Sequence, residues 1–307
     1  DTKLWRAIHS WTDHIILQKD IGSLYEWSIN NKMTFHPDKC KVLSVSLEHE
    51  IHYQDSGLPF NTFHYCLNPA RELSTTLSFV ESEKDLGLIV SYNLSSALQS
   101  VAMYSKASSR LGLLRRVCHF VKSKKQKVIL YYAMVRSIFE HASTAWGPSP
   151  SQIEKLERLQ KRAVKWILGE EYHSYNTLEY SRRLFDLNIL PLREKFIFTD
   201  LLLFHKIYHG TTCIKLPSYI SKVSEEDIGR LRVSRLDHEC VKCTIHPRVD
   251  AFKSSFFFRN ITEWNELPLE LRMTVDKLAF EGNLKKFLWD RVSSIKDCGP
   301  DGDSDSA

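Results

Sequence analysis

No stretch of this chain is apolar enough to cross a membrane as a helix. The longest apolar runs, Val128-Ile-Leu-Tyr-Tyr-Ala-Met-Val135 and Leu201-Leu-Leu-Phe204, fall far short of the roughly 18 residues a span needs. Glycine is sparse, eleven in 307 residues, and the glycines lie far apart except for Gly299 and Gly302 near the end, so no glycine-rich phosphate cradle is present. A Gly-x-Ser-x-Gly elbow and a His-Glu-x-x-His pair are both missing, which leaves hydrolase chemistry by those routes without support. Cysteine comes as seven scattered residues, an odd number that argues against a disulfide framework and for a reducing setting inside the cell, in nucleus or cytoplasm. Residue 1 is Asp and no basic-then-apolar leader follows it, so the chain reads as a fragment or processed product. There is no internal repeat.

What is there is positive charge in one place. Lys106 to Lys165 carries fourteen Lys/Arg against three Glu, a net of +11 in a chain whose whole net charge is +5. The remainder is therefore acidic on balance. Inside this block, Ile153 to Leu168 reads as a helix stopped by Gly169. At about 100° per residue, Lys155, Arg158, Arg162 and Lys165 fall within an arc of about 80°, and Ile153, Leu156, Ala163, Val164 and Ile167 lie opposite. Any surface helix has one apolar and one charged face. The sign is what distinguishes this one, because Glu154 and Glu157 offset only part of the stripe, and Arg115-Arg116 and Lys122-Ser-Lys124-Lys125-Gln-Lys127 repeat the bias. A polyanion is the expected partner, nucleic acid before an anionic membrane surface.

At 43% hydrophobic and 26% charged, 307 residues suffice for two packed units. The pattern predicts a helix over 13–31, opened by Asp13 and ending in Asn30-Asn31-Lys32. A strand pair follows, with Lys39–Leu47 extended, turn signals at Asp55–Pro59 and further extended pieces near Phe60–Leu67 and Leu77–Val80. Lys84–Val90 reads as one more strand with a glycine inside it, a sign of close backbone approach. From residue 95 the pattern is helical, roughly 96–118, 124–142 and 151–168, with Trp146-Gly-Pro-Ser-Pro150 as a break. The middle helix, apolar nearly all round, is expected to be the buried one. Residues 171–296 are again mainly helical, with Pro191 opening and Gly210 closing a very apolar helix. Aromatic residues cluster at Ser255–Phe258 and Trp264, and the tail 297–307 is acidic and small, hence disordered.

Two metal readings present themselves. His238, Cys240, Cys243 and His246 are too compressed for the usual zinc pattern, which separates two ligand pairs by a dozen or more residues, so free thiols are the expectation. A pair of catalytic Mg²⁺ ions needs acids converging from different elements, and Asp1 with Asp13 does not establish that by sequence.

Seven segments in order carry a family resemblance. They are Asp1-Thr-Lys-Leu4, Leu24-Tyr-Glu-Trp27, Asn31 to Leu43, Asp85-Leu-Gly-Leu88, Ser105 to Arg116, Ile153 to Lys165, and Ser255-Phe-Phe-Phe-Arg-Asn-Ile-Thr-Glu-Trp-Asn-Glu-Leu-Pro268. Together they resemble the reverse transcriptase of non-LTR retrotransposons, the jockey-like and related LINE elements, over nearly the whole chain apart from the acidic tail. The resemblance implies an α+β fold: the end of a right-hand polymerase palm over 1–94, a helical basic thumb over 95–169, a helical C-terminal region over 170–296, then the tail. It implies that Asp1 is the second aspartate of the catalytic turn and a ligand of Mg²⁺, that Lys39 assists the leaving pyrophosphate, and that Leu86 and Gly87 form the hairpin gripping the primer end. It makes the basic residues Arg115, Arg116, Lys124, Lys125, Lys155, Arg158, Arg162 and Lys165 the contact with an RNA template and DNA primer duplex, with no membrane and no small-molecule cofactor involved. The first aspartate of the turn and the upstream palm acid are missing, so the implied chain keeps duplex-binding parts and lacks catalysis. A non-catalytic nucleic-acid-binding remnant and a helical adaptor for acidic proteins are the alternatives.

Overall fold

The computed structural model describes residues 2–46, 63–67, 75–169, 177–224 and 237–294. The chain is α+β and divides into two compact units, 1–99 and 100–307. Asp1, the Asp55–Pro59 turn and the acidic tail lie outside the described residues.

In the first unit, α1 spans Trp11–Asn30. It starts two residues before Asp13, because Ser10 and Asp13 form a capping box that satisfies the free amides of the first turn. Asp13 accepts from the amides of His9 at 3.1 Å and Ser10 at 3.0 Å and pairs with Arg6 at 3.3 Å. These bonds, the His9 amide first, hold its carboxyl down to about 2. Leu17, Ile21 and Tyr25, spaced four apart on one face, pack with Phe35, Val42 and Phe79 around buried Tyr65, Leu67 and Leu77. His14 and Tyr65 share a buried 2.6 Å hydrogen bond, and burial pushes the Tyr65 hydroxyl up to about 12.

β1 (Lys41–Leu43) and β2 (Ser78–Val80) pair in parallel, Lys41 opposite Ser78, although more than thirty residues separate them. The expected strand over Lys39–Leu47 is thus shorter among the described residues. It is preceded by a 3₁₀ turn at Pro37–Lys39, where proline fixes the first φ. The single strand expected over Lys84–Val90 is instead a hairpin: β3 (Ser82–Asp85) pairs antiparallel with β4 (Leu88–Ser91) through Leu86-Gly87. Both turn residues have positive φ, 46° and 91°, as a two-residue turn matched to strand twist requires. Side-chain amides complete this small β structure. Gln18 donates to the Cys66 carbonyl and accepts from its amide, both at 2.8 Å, and Gln99 accepts from the Ile89 amide at 2.9 Å.

The second unit holds most of the helices; α2 (Ala97–Val117) enters it from the first. α3 (Lys124–Tyr131) continues through a π-helical turn, Tyr132–Arg136, into α4 (Ser137–Glu140), and a short α5 covers Ser143–Trp146. This middle run is not buried all round as its composition suggests. Tyr131, Val135 and Phe139 face the core while Ile129 remains 65% exposed. The wider π turn also brings a charged residue inward, for Arg136 is 1% exposed.

α6 (Pro150–Leu168) buries Leu156, Leu159, Ala163, Val164 and Ile167. α7 (Thr177–Asp186) and α8 (Leu192–Tyr208) follow, with Pro191 at the α8 N-cap. β5 (Ile220–Lys222) and β6 (Val241–Cys243) form an antiparallel pair, and Asn265 brackets the outer side of β6, accepting from the Val241 amide at 2.9 Å and donating to its carbonyl at 2.8 Å. α9 (Asp250–Lys253), α10 (Phe256–Asn265), α11 (Leu269–Met273) and α12 (Lys277–Ser294) complete the unit. The core here gathers Phe204, Trp264, Phe280, Leu284 and Leu288. Arg259 on α10 holds Asp200 at 2.8 and 3.2 Å and reaches the Thr144 carbonyl at 2.7 Å, tying α5, α8 and α10 together. Gly147 has φ 48°, and a Cβ there would stand 2.5 Å from the Arg259 Nη1, so both backbone and space require glycine.

Candidate nucleic-acid interface

The cations expected to meet nucleic acid sit on three helices of the second unit. Arg115 and Arg116 are exposed in the last turn of α2, where the helix dipole favours them. Lys124 and Lys125 are exposed in the first turn of α3, where the dipole disfavours cations and no acid is present to offset them. Helix stability does not explain that placement. Lys127 is spent otherwise: its ammonium donates to the Trp166 carbonyl at 3.0 Å and lies 5.5 Å from the Trp166 ring centre, which fixes the start of α3 on the end of α6.

On α6 the stripe is narrower than its helical wheel. Lys155 and Arg158 are exposed, whereas Arg162 and Lys165 are half-buried, at the end of α6 on which α3 packs. Arg158 is also bound to Glu154 at 2.7 Å, four residues before it, so much of its charge is matched locally. Glu157, expected among the outer charges, turns inward. It accepts from the Leu192 amide at 2.7 Å, from Gln160 at 2.9 Å and from the Tyr180 hydroxyl, while burial pushes its carboxyl above the ordinary range. Behind it, Tyr131 donates to the Gln160 Oε1 at 2.7 Å and Arg136 to the same oxygen at 3.2 Å. Arg136 also binds Glu140 at 2.5 Å. This buried seam sets the rotation of α6 and so decides which of its residues reach water. Nothing in the apolar periodicity announces it.

The outer surface thus has two fixed points. Glu154, bound to Arg158, raises its basicity and holds its guanidinium, and Lys127 ties α3 to Trp166. From Arg158 to Trp166 the helix rises about 12 Å, three to four base-pair steps of a duplex. Among the described residues, Arg115, Arg116, Lys124, Lys125 and Lys155 have no carboxylate partner. Their charge is available to phosphate.

In the first unit, Leu86 is 74% exposed at the hairpin tip. Its positive φ is the one that the two-residue turn requires, and the turn leaves the leucine side chain in water. Lys39 is exposed at the end of the 3₁₀ turn. Asp1 lies outside the described residues, and Asp13 is committed to its cap. No group of three His, Cys, Asp or Glu that could hold a metal occurs among the described residues, and those present do not fit a two-cation Mg²⁺ site. Cys240 is buried with its sulfur 2.8 Å from the Arg272 Nη1, and the Cys243 thiol points to the Ile245 carbonyl at 3.1 Å. A guanidinium against the sulfur is a poor setting for a cation. Among the described residues no helix is long and apolar enough to cross a membrane.

Compared with family models, curated proteins and solved structures, the chain matches none.

Proposed function

We propose that this chain is a segment of the RNA-directed DNA polymerase of a non-LTR retrotransposon, acting inside the cell, and that it grips the template–primer duplex without catalysing synthesis itself. The first unit is then the end of the palm and the α2, α3 and α6 helices are the thumb. The observation that carries the reading is the group of exposed cations on α2, α3 and α6, among them Arg115, Arg116, Lys124, Lys125 and Lys155, that meet no carboxylate among the described residues. The start of α3 holds two of them where they cost helix stability. Contacts of this kind follow a phosphate backbone and read no base. The exposed Leu86 at the hairpin tip supports the primer-grip assignment, and Lys39 is exposed to solvent, as a group near a leaving pyrophosphate must be. Phosphoryl transfer needs two cations held by several carboxylates, and the resemblance carries that role onto Asp1 alone among these residues.

The test is duplex binding by the full chain across a salt series. Lys125→Glu with Lys155→Glu is expected to weaken RNA–DNA duplex binding and to flatten the slope of log affinity against log salt by about 1.8, whereas Lys277→Glu leaves both close to wild type. Equal effects of the two variants refute the interface, and weak binding that ignores salt points instead to an adaptor for acidic proteins. In primer extension with Mg²⁺ and deoxynucleotides the isolated chain is expected to make no product; clear synthesis refutes the non-catalytic half of the reading.

A further inference from the structure

Between the end of α7 and one face of α12 lies an open, shallow groove of about 530 Å³ lined chiefly by Phe185, Gly282, Lys285, Lys286, Trp289 and Asp290. Its shape follows from how α7 stops. Asn188 takes φ 53°, its amide bonds to the Phe185 carbonyl at 2.9 Å, and the Ile189 amide bonds to the Leu184 carbonyl at 2.9 Å, which is a Schellman ending with asparagine in place of glycine. Leu184 and Ile189 supply the apolar contact of that motif and are fully buried. Phe185 is therefore not needed for the core and stays 58% exposed, its ring meeting Trp289 at 5.4 Å and 84°.

A lone exposed phenylalanine is ordinary. Here three other features converge on it. Gly282, Lys285, Lys286, Trp289 and Asp290 share one face of α12 by their spacing of three and four. A Cβ at Gly282 would meet nothing within 4 Å, so packing does not require the glycine, although glycine weakens a helix interior relative to alanine. Its effect is to keep the groove floor low. Neither lysine has an ion-pair partner among the described residues, and Asp290, the one acid of the lining, offsets one of the two charges.

We propose that this groove is a stacking site for an unpaired base of single-stranded nucleic acid, with Lys285 and Lys286 holding the flanking phosphates. An aromatic face beside cations is the sequence-tolerant way to hold a strand, because every base has a π-face. The inference rests on the second unit being a nucleic-acid binder, but it uses none of the residues of the α2, α3 and α6 surface.

Fluorescence anisotropy with the full chain tests it, using a short oligo-dT strand, an abasic strand of the same length and an RNA–DNA duplex. Phe185→Ala is expected to weaken oligo-dT binding by about 5- to 100-fold, to leave the abasic strand and the duplex nearly unchanged, and to be rescued by Phe185→Tyr. Gly282→Gln, which fills the floor and spares Phe185, is expected to weaken oligo-dT as well. Lys285→Gln with Lys286→Gln should flatten the single-strand salt slope by about 1.4. Unchanged oligo-dT affinity in Phe185→Ala or in Gly282→Gln, or an equal loss for the abasic strand, overturns the proposal. Failure of the duplex surface shows itself separately, as duplex affinity insensitive to Lys125→Glu with Lys155→Glu.

Discussion

Replacing Arg136 by Met probes the seam that orients α6. The Arg136 side chain is 1% exposed, binds Glu140 at 2.5 Å and Gln160 at 3.2 Å, and lies 5.1 Å from the Tyr132 ring centre. Methionine fills much of the volume but leaves Glu140 to Lys195, 3.8 Å away, and leaves Gln160 to Tyr131. Breaking a buried pair by removing one partner costs about 3–5 kcal/mol. Glu140 retains 24% exposure and one remaining cation, which puts the expected loss near the lower end, about 3 kcal/mol. For a unit of this size that is a fall in Tm of about 6–12 °C. Calorimetry on the full chain measures it as a shift of the second unit's transition. Arg136→Met with Glu140→Leu removes both charges and should recover most of the loss, because the cost lies in the stranded carboxylate. An unchanged Tm in the single variant, or a double variant as unstable as the single, refutes the reasoning.

Two further outcomes follow from the same geometry. Gly147→Ala should lower the Tm of the second unit by several degrees and more than Gly169→Ala does, because the first Cβ runs into Arg259 whereas the second meets open space; equal shifts in a thermal melt contradict this. Asp13 titrates near 2 in the folded chain and near its ordinary 3.8 when unfolded, so its contribution is present above pH 4 and lost as pH falls through about 2. The helical circular dichroism signal of wild type should therefore drop between pH 4 and 2 more than that of Asp13→Asn, and identical slopes would rule the cap out as the cause.

Much of the helical part was legible in the sequence because its punctuation is local. Ser149-Pro150 and Gly169 bound α6, Pro191 and Gly210 bound α8, and the break at Trp146–Pro150 is visible as written. What was not legible depends on contacts distant in sequence. β1 finds its partner more than thirty residues away, and the π turn that hides Arg136 leaves apolar spacing unaltered. Glu157 is instructive, since the helical wheel already placed it about 160° from Lys155, nearer the apolar side than the basic one. Counting charges by segment hid what the angle held. The interface residues divide in the same way: sequence identifies Lys124, Lys125 and Lys155 as basic, but only the α3–α6 packing tells that Arg162 and Lys165 are half-covered.

The amide groups of Gln18, Gln99 and Asn265 do more than finish hydrogen bonds. A β-pair only two strands wide exposes backbone donors and acceptors along both margins, the template on which a second copy of a protein adds a strand. Asn265 occupies both groups of Val241, Gln18 both groups of Cys66, and Gln99 the amide of Ile89. A neighbouring chain that approaches these margins must displace an intramolecular amide anchored to a helix. Asn265→Leu, which leaves the Val241 amide and carbonyl open, is expected to make β6 a better template for a second chain, visible as a rise in aggregation by light scattering over wild type.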